Sequence, residues 1–140
     1  DQGANIYNLY DSSKYYPNPI CILVFRDPRD IFSEFKFKSA YSYPKTDVET
    51  FCDWYLNSMN KIENQNFQDL SILKIQFEDF INNHNESLEK ISEFLSIPIK
   101  PNNEKFDFNR SKKNIFKYEK LLTNEETSII KKKLSEYLLK

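Results

Sequence analysis

The chain has 140 residues, of which 39% are apolar and 16% aromatic, enough for a single domain with a buried core. Twenty basic and twenty-one acidic side chains nearly cancel, so a broadly basic surface for nucleic acid is excluded and any anion site must be local. No apolar run approaches the roughly 18 residues of a membrane span. No signal peptide opens the chain, and we therefore expect a cytoplasmic protein without a membrane span.

The glycine and cysteine residues limit which kinds of binding site the chain can contain. The only glycine is Gly3, which excludes a glycine-rich phosphate loop within these residues. The chain also opens at Asp1 without a methionine, so we expect residues 1–140 to be a single domain that lacks its amino-terminal part. Cys21 and Cys52 lie in apolar patterns typical of small buried residues, and neither a disulfide nor a metal site is predicted.

Apolar periodicity and capping signals predict two strands and about five helices. Each strand is followed by a helix, which favours βα units and a parallel sheet. In chain order we predict a short helix over 5–16, a strand over 20–25, a helix from Pro28 to about Tyr41, a helix from Val48 capped by Asp47, a loop over 63–69, a strand over 71–77, a helix through 78–95, an irregular region over 96–119, and a final helix after the capping box of Thr123 and Glu126.

The junction between the first strand and its helix carries the strongest functional signal. Six apolar residues, Ile20–Phe25, run into a charged turn in which Asp27 can cap a helix and Pro28 suits the first helical position. Arg26 and Arg29 then stand where the free backbone N–H groups of a helix N-terminus favour an anion. The alternative is that both arginines form ordinary ion pairs with the neighbouring aspartates.

Three blocks of sequence, taken in order, resemble the carboxyl-terminal part of the sulfotransferases that use 3′-phosphoadenosine 5′-phosphosulfate (PAPS). The first block is residues 24–30, the strand, turn and helix start around Arg26. The second is the strand and helix start over 72–80, with the helix over 88–98, and the third is the basic stretch over 110–118. The resemblance implies an α/β fold with a P-loop-NTPase-like parallel sheet flanked by helices, present here only in part.

The same resemblance implies the residues that hold the donor nucleotide. Arg26 would bind the 3′-phosphate, and a serine is usual eight positions later, where this chain has Glu34. A carboxylate there would repel a phosphate, so we expect Ser33 to take over that contact. Phe77 would stack near the adenine. The third block would add positive charge near the nucleotide through Arg110, Lys112 and Lys113, although Asn114 and Phe116 stand where glycines of the usual loop would lie.

The implied function is transfer of a sulfuryl group from PAPS to a hydroxyl acceptor, by analogy that of a glycan or glycolipid. In the family, the phosphosulfate loop and the catalytic base lie on the amino-terminal side of the Arg26 block, so no catalytic residue is assigned and the isolated chain is expected to be inactive. The alternative is a nonenzymatic α/β domain that binds a protein partner. A kinase-like P-loop protein is disfavoured because the chain has no Walker motif.

Overall fold

The computed structural model describes residues 8–37, 47–65, 67, 70–99 and 107–139. Two strands, β1 (Ile20–Phe25) and β2 (Ser71–Gln76), pair in parallel, so the predicted α/β class and parallel sheet are confirmed. Around them lie α1 (Leu9–Ser13), α2 (Pro28–Phe37), α3 (Val48–Glu63), α4 (Phe77–Asn82), α5 (His84–Leu95), α6 (Phe108–Lys112), α7 (Tyr118–Leu121) and α8 (Asn124–Lys133), followed by a 3₁₀ turn over Ser135–Tyr137.

The described residues contain more helices than the sequence predicts. The helix predicted over 78–95 divides at Asn83, whose backbone is non-helical at φ −120° and ψ 49°. The region predicted to be irregular contains α6 and α7. The end of α2 predicted near Tyr41 lies outside the described residues. None of the described helices is long and apolar enough to cross a membrane.

Side-chain caps determine where three of the helices begin, as the sequence predicts. At the start of α2, the Asp27 carboxylate accepts the Arg29 N–H at 2.8 Å. The carboxylate of Asp47 accepts the Thr50 N–H at 2.7 Å and opens α3. Thr123 and Glu126 form a reciprocal capping box at the start of α8. Each cap satisfies backbone donors that a helix start leaves without partners, which contributes about 1 kcal/mol.

The larger hydrophobic core lies between α2, α3 and α8. Apolar residues that recur at helical spacing along α3, from Val48 to Ile62, form its buried face, and Phe51 packs on Phe32 with ring centroids 4.9 Å apart. From α8 and the residue after it, Ile130 and Leu134 complete the cluster, both fully buried. Burying a side chain of this size contributes about 1.5–3 kcal/mol. This core attaches the helix that follows β1 to the carboxyl-terminal helix.

The sheet has one covered face and one more open face. Leu23 of β1 packs with Leu9 and Leu70 in a second, smaller core. On the opposite face, Ile20 and Val24 keep 53% and 63% of their surface exposed. Because the strands are parallel and Phe25 pairs with Gln76, both carboxyl ends meet at one edge. This edge is where the next residues, Arg26 and Phe77, come together.

Candidate functional site

Buried carboxylates define the turn between β1 and α2. The Glu78 carboxylate, at the start of α4, accepts the Asp27 N–H at 3.0 Å and is held in turn by the Gln76 side-chain amide at 2.8 Å. Asp27, itself fully buried, accepts the Leu139 N–H at 3.3 Å. Hydrogen-bonded carboxylates therefore tie the turn to the end of β2 and to the carboxyl-terminal segment, which makes its geometry rigid.

The Arg29 side chain is bound to Asp27 and so belongs to this hydrogen-bond network. Its Nε and Nη2 donate to the two carboxylate oxygens of Asp27 at 2.9 and 2.6 Å, a bidentate pair. The guanidinium also lies over the Tyr118 ring, 4.3 Å from its centroid. The hydrogen bond to Asp27 raises the pKa of Arg29 above its usual value. Arg29 therefore forms an ordinary ion pair with the neighbouring Asp27, as the alternative interpretation of the sequence predicted.

Arg26 is held differently. Its Nη1 donates to Glu34 Oε1 at 2.9 Å and its Nη2 to the Asn114 carbonyl at 2.6 Å. The guanidinium carbon is 5.4 Å from the centroid of the Phe77 ring. Arg26 Nε is buried and has no hydrogen-bond partner among the described residues. An unpaired buried donor costs about 1–3 kcal/mol, so an acceptor that reached this guanidinium would be favoured.

Asp30 attaches the turn after α6 to the start of α2. Its buried carboxylate accepts the backbone N–H groups of Phe116 and Tyr118, each at 2.9 Å. Burial raises the pKa of Asp30, while the two backbone donors oppose that shift. Phe116 has φ 56°, in the left-handed region that favours glycine. The resemblance described above implies a glycine at this position, and the backbone of Phe116 has a conformation that glycine adopts most readily.

A cavity of about 360 Å³ opens beside Arg26 at the carboxyl ends of the strands. Its lining consists of Phe25, Arg26 and Gln76 at the strand ends, Tyr55 of α3, the acidic Asp79 of α4, and residues 136–139, which include Glu136. Open α/β sheets bind ligands in crevices at this edge. A larger groove of about 810 Å³ lies along α1 and β1, but its lining has no charged side chain to hold a phosphate. The smaller cavity is therefore the candidate site.

The structure brings some of the predicted site residues together. Arg26 and Phe77 are in contact, and the third sequence block reaches them through the carbonyl of Asn114. Arg110, Lys112 and Lys113 are exposed on α6 and the residue after it, immediately before Asn114. Their contacts with a nucleotide stay a prediction.

Ser33 lies in a different environment from the one predicted. Its side chain is fully buried, and its hydroxyl donates to the Asp30 carbonyl at 2.8 Å, one turn earlier in α2. A phosphate contact would require this hydroxyl to leave its buried hydrogen bond. The contact predicted for Ser33 remains a prediction that this arrangement does not favour.

Three features of the site were missed by sequence reasoning. The ion pair between Glu34 and Arg26 was not predicted. The sequence did contain a signal for this ion pair, because Arg26 stands just before the start of α2 and Glu34, of opposite charge, lies eight residues later within that helix. The Asn114 carbonyl and the Asp30 carboxylate act across 88 and 86 residues, and no local pattern marks such contacts.

Comparison with known proteins adds one finding. A family model described as Sulfotransferase family matches residues 4–101, more than half of the chain. The matched span contains Arg26, Ser33 and Phe77, whereas the basic residues of the third block lie beyond it. No curated protein and no solved structure matches the chain.

Proposed function

The chain belongs to the Sulfotransferase family, and from this premise we propose that it is part of an enzyme that transfers a sulfuryl group from PAPS to a hydroxyl group. In this proposal the chain supplies the half of the donor site that binds the 3′-phosphate. Arg26 holds the phosphate, Phe77 stacks near the adenine, and Arg110, Lys112 and Lys113 add positive charge. The acceptor is a glycan or glycolipid, and the cytoplasmic location stays a prediction.

One observation supports the donor site above the others: the state of Arg26. Of the two arginines in the turn, Arg29 is matched on two donors by Asp27, whereas Arg26 keeps a buried Nε without a partner among the described residues. A phosphate offers several oxygens in the geometry that a guanidinium fork prefers. The cavity beside Arg26 provides room for such a group.

The reaction is an in-line transfer in which the acceptor oxygen attacks sulfur as the bond to the 5′-phosphate oxygen breaks. It requires a base for the acceptor proton and positive charge near the leaving oxygen. The described residues contribute to donor binding and orientation, which lower the entropic part of the barrier. The base is expected on the amino-terminal side of the Arg26 block.

Calorimetric titration with adenosine 3′,5′-bisphosphate, the product form of the donor, tests this proposal. We expect binding to the wild-type chain, a loss of affinity of at least about tenfold in Arg26→Ala, and a smaller loss in Arg26→Lys, which keeps the charge without the fork. Lys90→Gln, an exposed position on α5, controls for the loss of one positive charge. Binding that is absent, or equal in wild type and Arg26→Ala, would overturn the proposal.

A second candidate function is the nonenzymatic interaction domain. The exposed apolar side chains Tyr15, Ile20 and Val24 favour it, because exposed apolar surface often marks a contact with another protein segment. The two candidates differ in what Arg26 does. Nucleotide binding that depends on Arg26 supports the enzyme, whereas an intact fold without nucleotide binding supports the interaction domain.

A further inference from the structure

Glu34 occupies the anion-binding face of Arg26. Its Oε1 lies 2.9 Å from Arg26 Nη1, and the two side chains are only 18% and 19% exposed. Glu34 lies on α2, whose start is anchored by the Asp27 cap and by packing of Phe32 in the main core. The carboxylate is therefore held at the guanidinium by a rigid helix, partly shielded from water.

This pair leaves the guanidinium incompletely matched. While Nη1 bonds to Glu34 and Nη2 to the Asn114 carbonyl, Nε is buried without a partner among the described residues. The Arg29 and Asp27 pair, in contrast, matches the Nε and Nη2 donors of Arg29 in a bidentate geometry. An arriving oxyanion can therefore improve the hydrogen bonding of Arg26 by accepting from Nε.

A phosphate at Arg26 and the carboxylate of Glu34 carry charges of the same sign. If a phosphate binds the Arg26 guanidinium, Glu34 loses its hydrogen bond to Arg26 and remains close to a dianion, which is unfavourable in a shielded site. A ribose hydroxyl is different, because it can donate a hydrogen bond to a carboxylate, as acidic residues do in dinucleotide sites. Glu34 thus disfavours a phosphorylated ribose and tolerates an unphosphorylated one.

We propose that Glu34 is a specificity-determining residue of the donor site, which competes with the 3′-phosphate for Arg26 and lowers the preference for a phosphorylated ribose. The inference rests on the proposed function and deepens it. In consequence, this chain distinguishes adenosine 3′,5′-bisphosphate from adenosine 5′-monophosphate less strongly than the same site would with a neutral residue at position 34.

The test is calorimetric titration of the full chain with these two nucleotides. The variants are Glu34→Gln, which keeps the shape, Glu34→Ser, which supplies the residue usual in the family, and Arg26→Lys. Glu89→Gln, an exposed change on α5, controls for the loss of one negative charge. The measured quantity is the ratio of the Kd for adenosine 5′-monophosphate to the Kd for adenosine 3′,5′-bisphosphate. We expect this ratio to rise at least about tenfold in both Glu34 variants and to stay unchanged in the control.

The possible results separate this inference from the proposed function. If the ratio is unchanged or lower in both Glu34 variants while Arg26→Lys still weakens bisphosphate binding, the role of Glu34 is overturned and the donor site stands. If neither nucleotide binds to any variant of confirmed fold, both are overturned.

Discussion

Asp30 and Tyr118 are joined by a hydrogen bond across 88 residues: the buried carboxylate on α2 accepts the Tyr118 backbone N–H at 2.9 Å. The same carboxylate accepts the Phe116 N–H, so one side chain positions the whole turn that follows α6. That turn presents the Asn114 carbonyl to Arg26. The position of the basic segment beside the proposed donor site therefore depends on a residue that is not part of the cavity lining.

Replacing Asp30 should destabilise the protein. Asp30→Ala leaves two backbone donors without their acceptor, each at a cost of about 1–3 kcal/mol when it stays buried. We expect a lower free energy of unfolding in urea at neutral pH. The control is Asp11→Ala, since the Asp11 side chain is 74% exposed and forms a surface ion pair with Lys14. Equal stability of the two variants would show that the Asp30 hydrogen bonds contribute nothing measurable.

Glycine at position 116 should relieve the strain of the left-handed backbone conformation. The φ of 56° at Phe116 costs an L-residue about 1–2 kcal/mol, and glycine avoids most of that cost. We compare Phe116→Gly with Phe116→Ala, since both remove the ring and only one keeps a Cβ atom. The glycine variant should be more stable by about 1 kcal/mol in denaturant unfolding.

The matched control for this comparison is Ser128, an exposed position inside α8. There the order should reverse, with Ser128→Gly about 1 kcal/mol less stable than Ser128→Ala, because glycine disfavours a helix interior. The same order of glycine and alanine at both positions would contradict a left-handed backbone at Phe116.

Glu126 should make stability depend on pH. Burial alone would raise its pKa, but hydrogen bonds from Lys36 and from the Thr123 backbone outweigh burial and hold the pKa of Glu126 below its usual value. Because the unfolded chain then takes up a proton more readily, this stabilisation is present above the ordinary glutamate pKa. It is lost as the pH falls through the lower, folded value.

Urea unfolding at a series of pH values measures this effect. At neutral pH, Glu126→Gln should lower the free energy of unfolding by about 1 kcal/mol, because glutamine can still accept the Thr123 N–H in the capping box but removes the carboxylate charge and with it the Lys36 ion pair. Between about pH 5 and pH 3, the gap between wild type and variant should close. Glu119→Gln, an exposed change, is the control. A gap that stays constant over this range would exclude a lowered pKa.

Cys52 should be unreactive in the folded protein. It lies fully buried in the main core, and burial raises its pKa to about 11. In a Cys21→Ser variant at about pH 8, a thiol reagent should modify Cys52 at least about a hundredfold more slowly in the folded than in the unfolded protein. The converse variant, Cys52→Ser, reports on the half-buried Cys21. Fast modification of folded Cys52 would show that the core opens at this helix.

Local patterns in the sequence were sufficient to predict both strands and the starts of three helices. Both strands, the caps of Asp27 and Asp47 and the capping box of Thr123 could be predicted, because each depends on residues within one helical turn or on strand alternation. The buried face of α3 followed from helical spacing for the same reason. The break at Asn83 and the two short helices after residue 107 were not predicted, since short helices carry little periodic signal.

The Arg26 turn itself was determined by the sequence: an apolar strand, a capping aspartate and a proline place an arginine at the edge of a parallel sheet. What that arginine binds was decided only by the tertiary structure. Glu34 and the Asn114 carbonyl reach its guanidinium because helix packing and the Asp30 hydrogen bonds bring distant segments together. Such contacts depend on burial and on long-range geometry, and a local pattern contains neither.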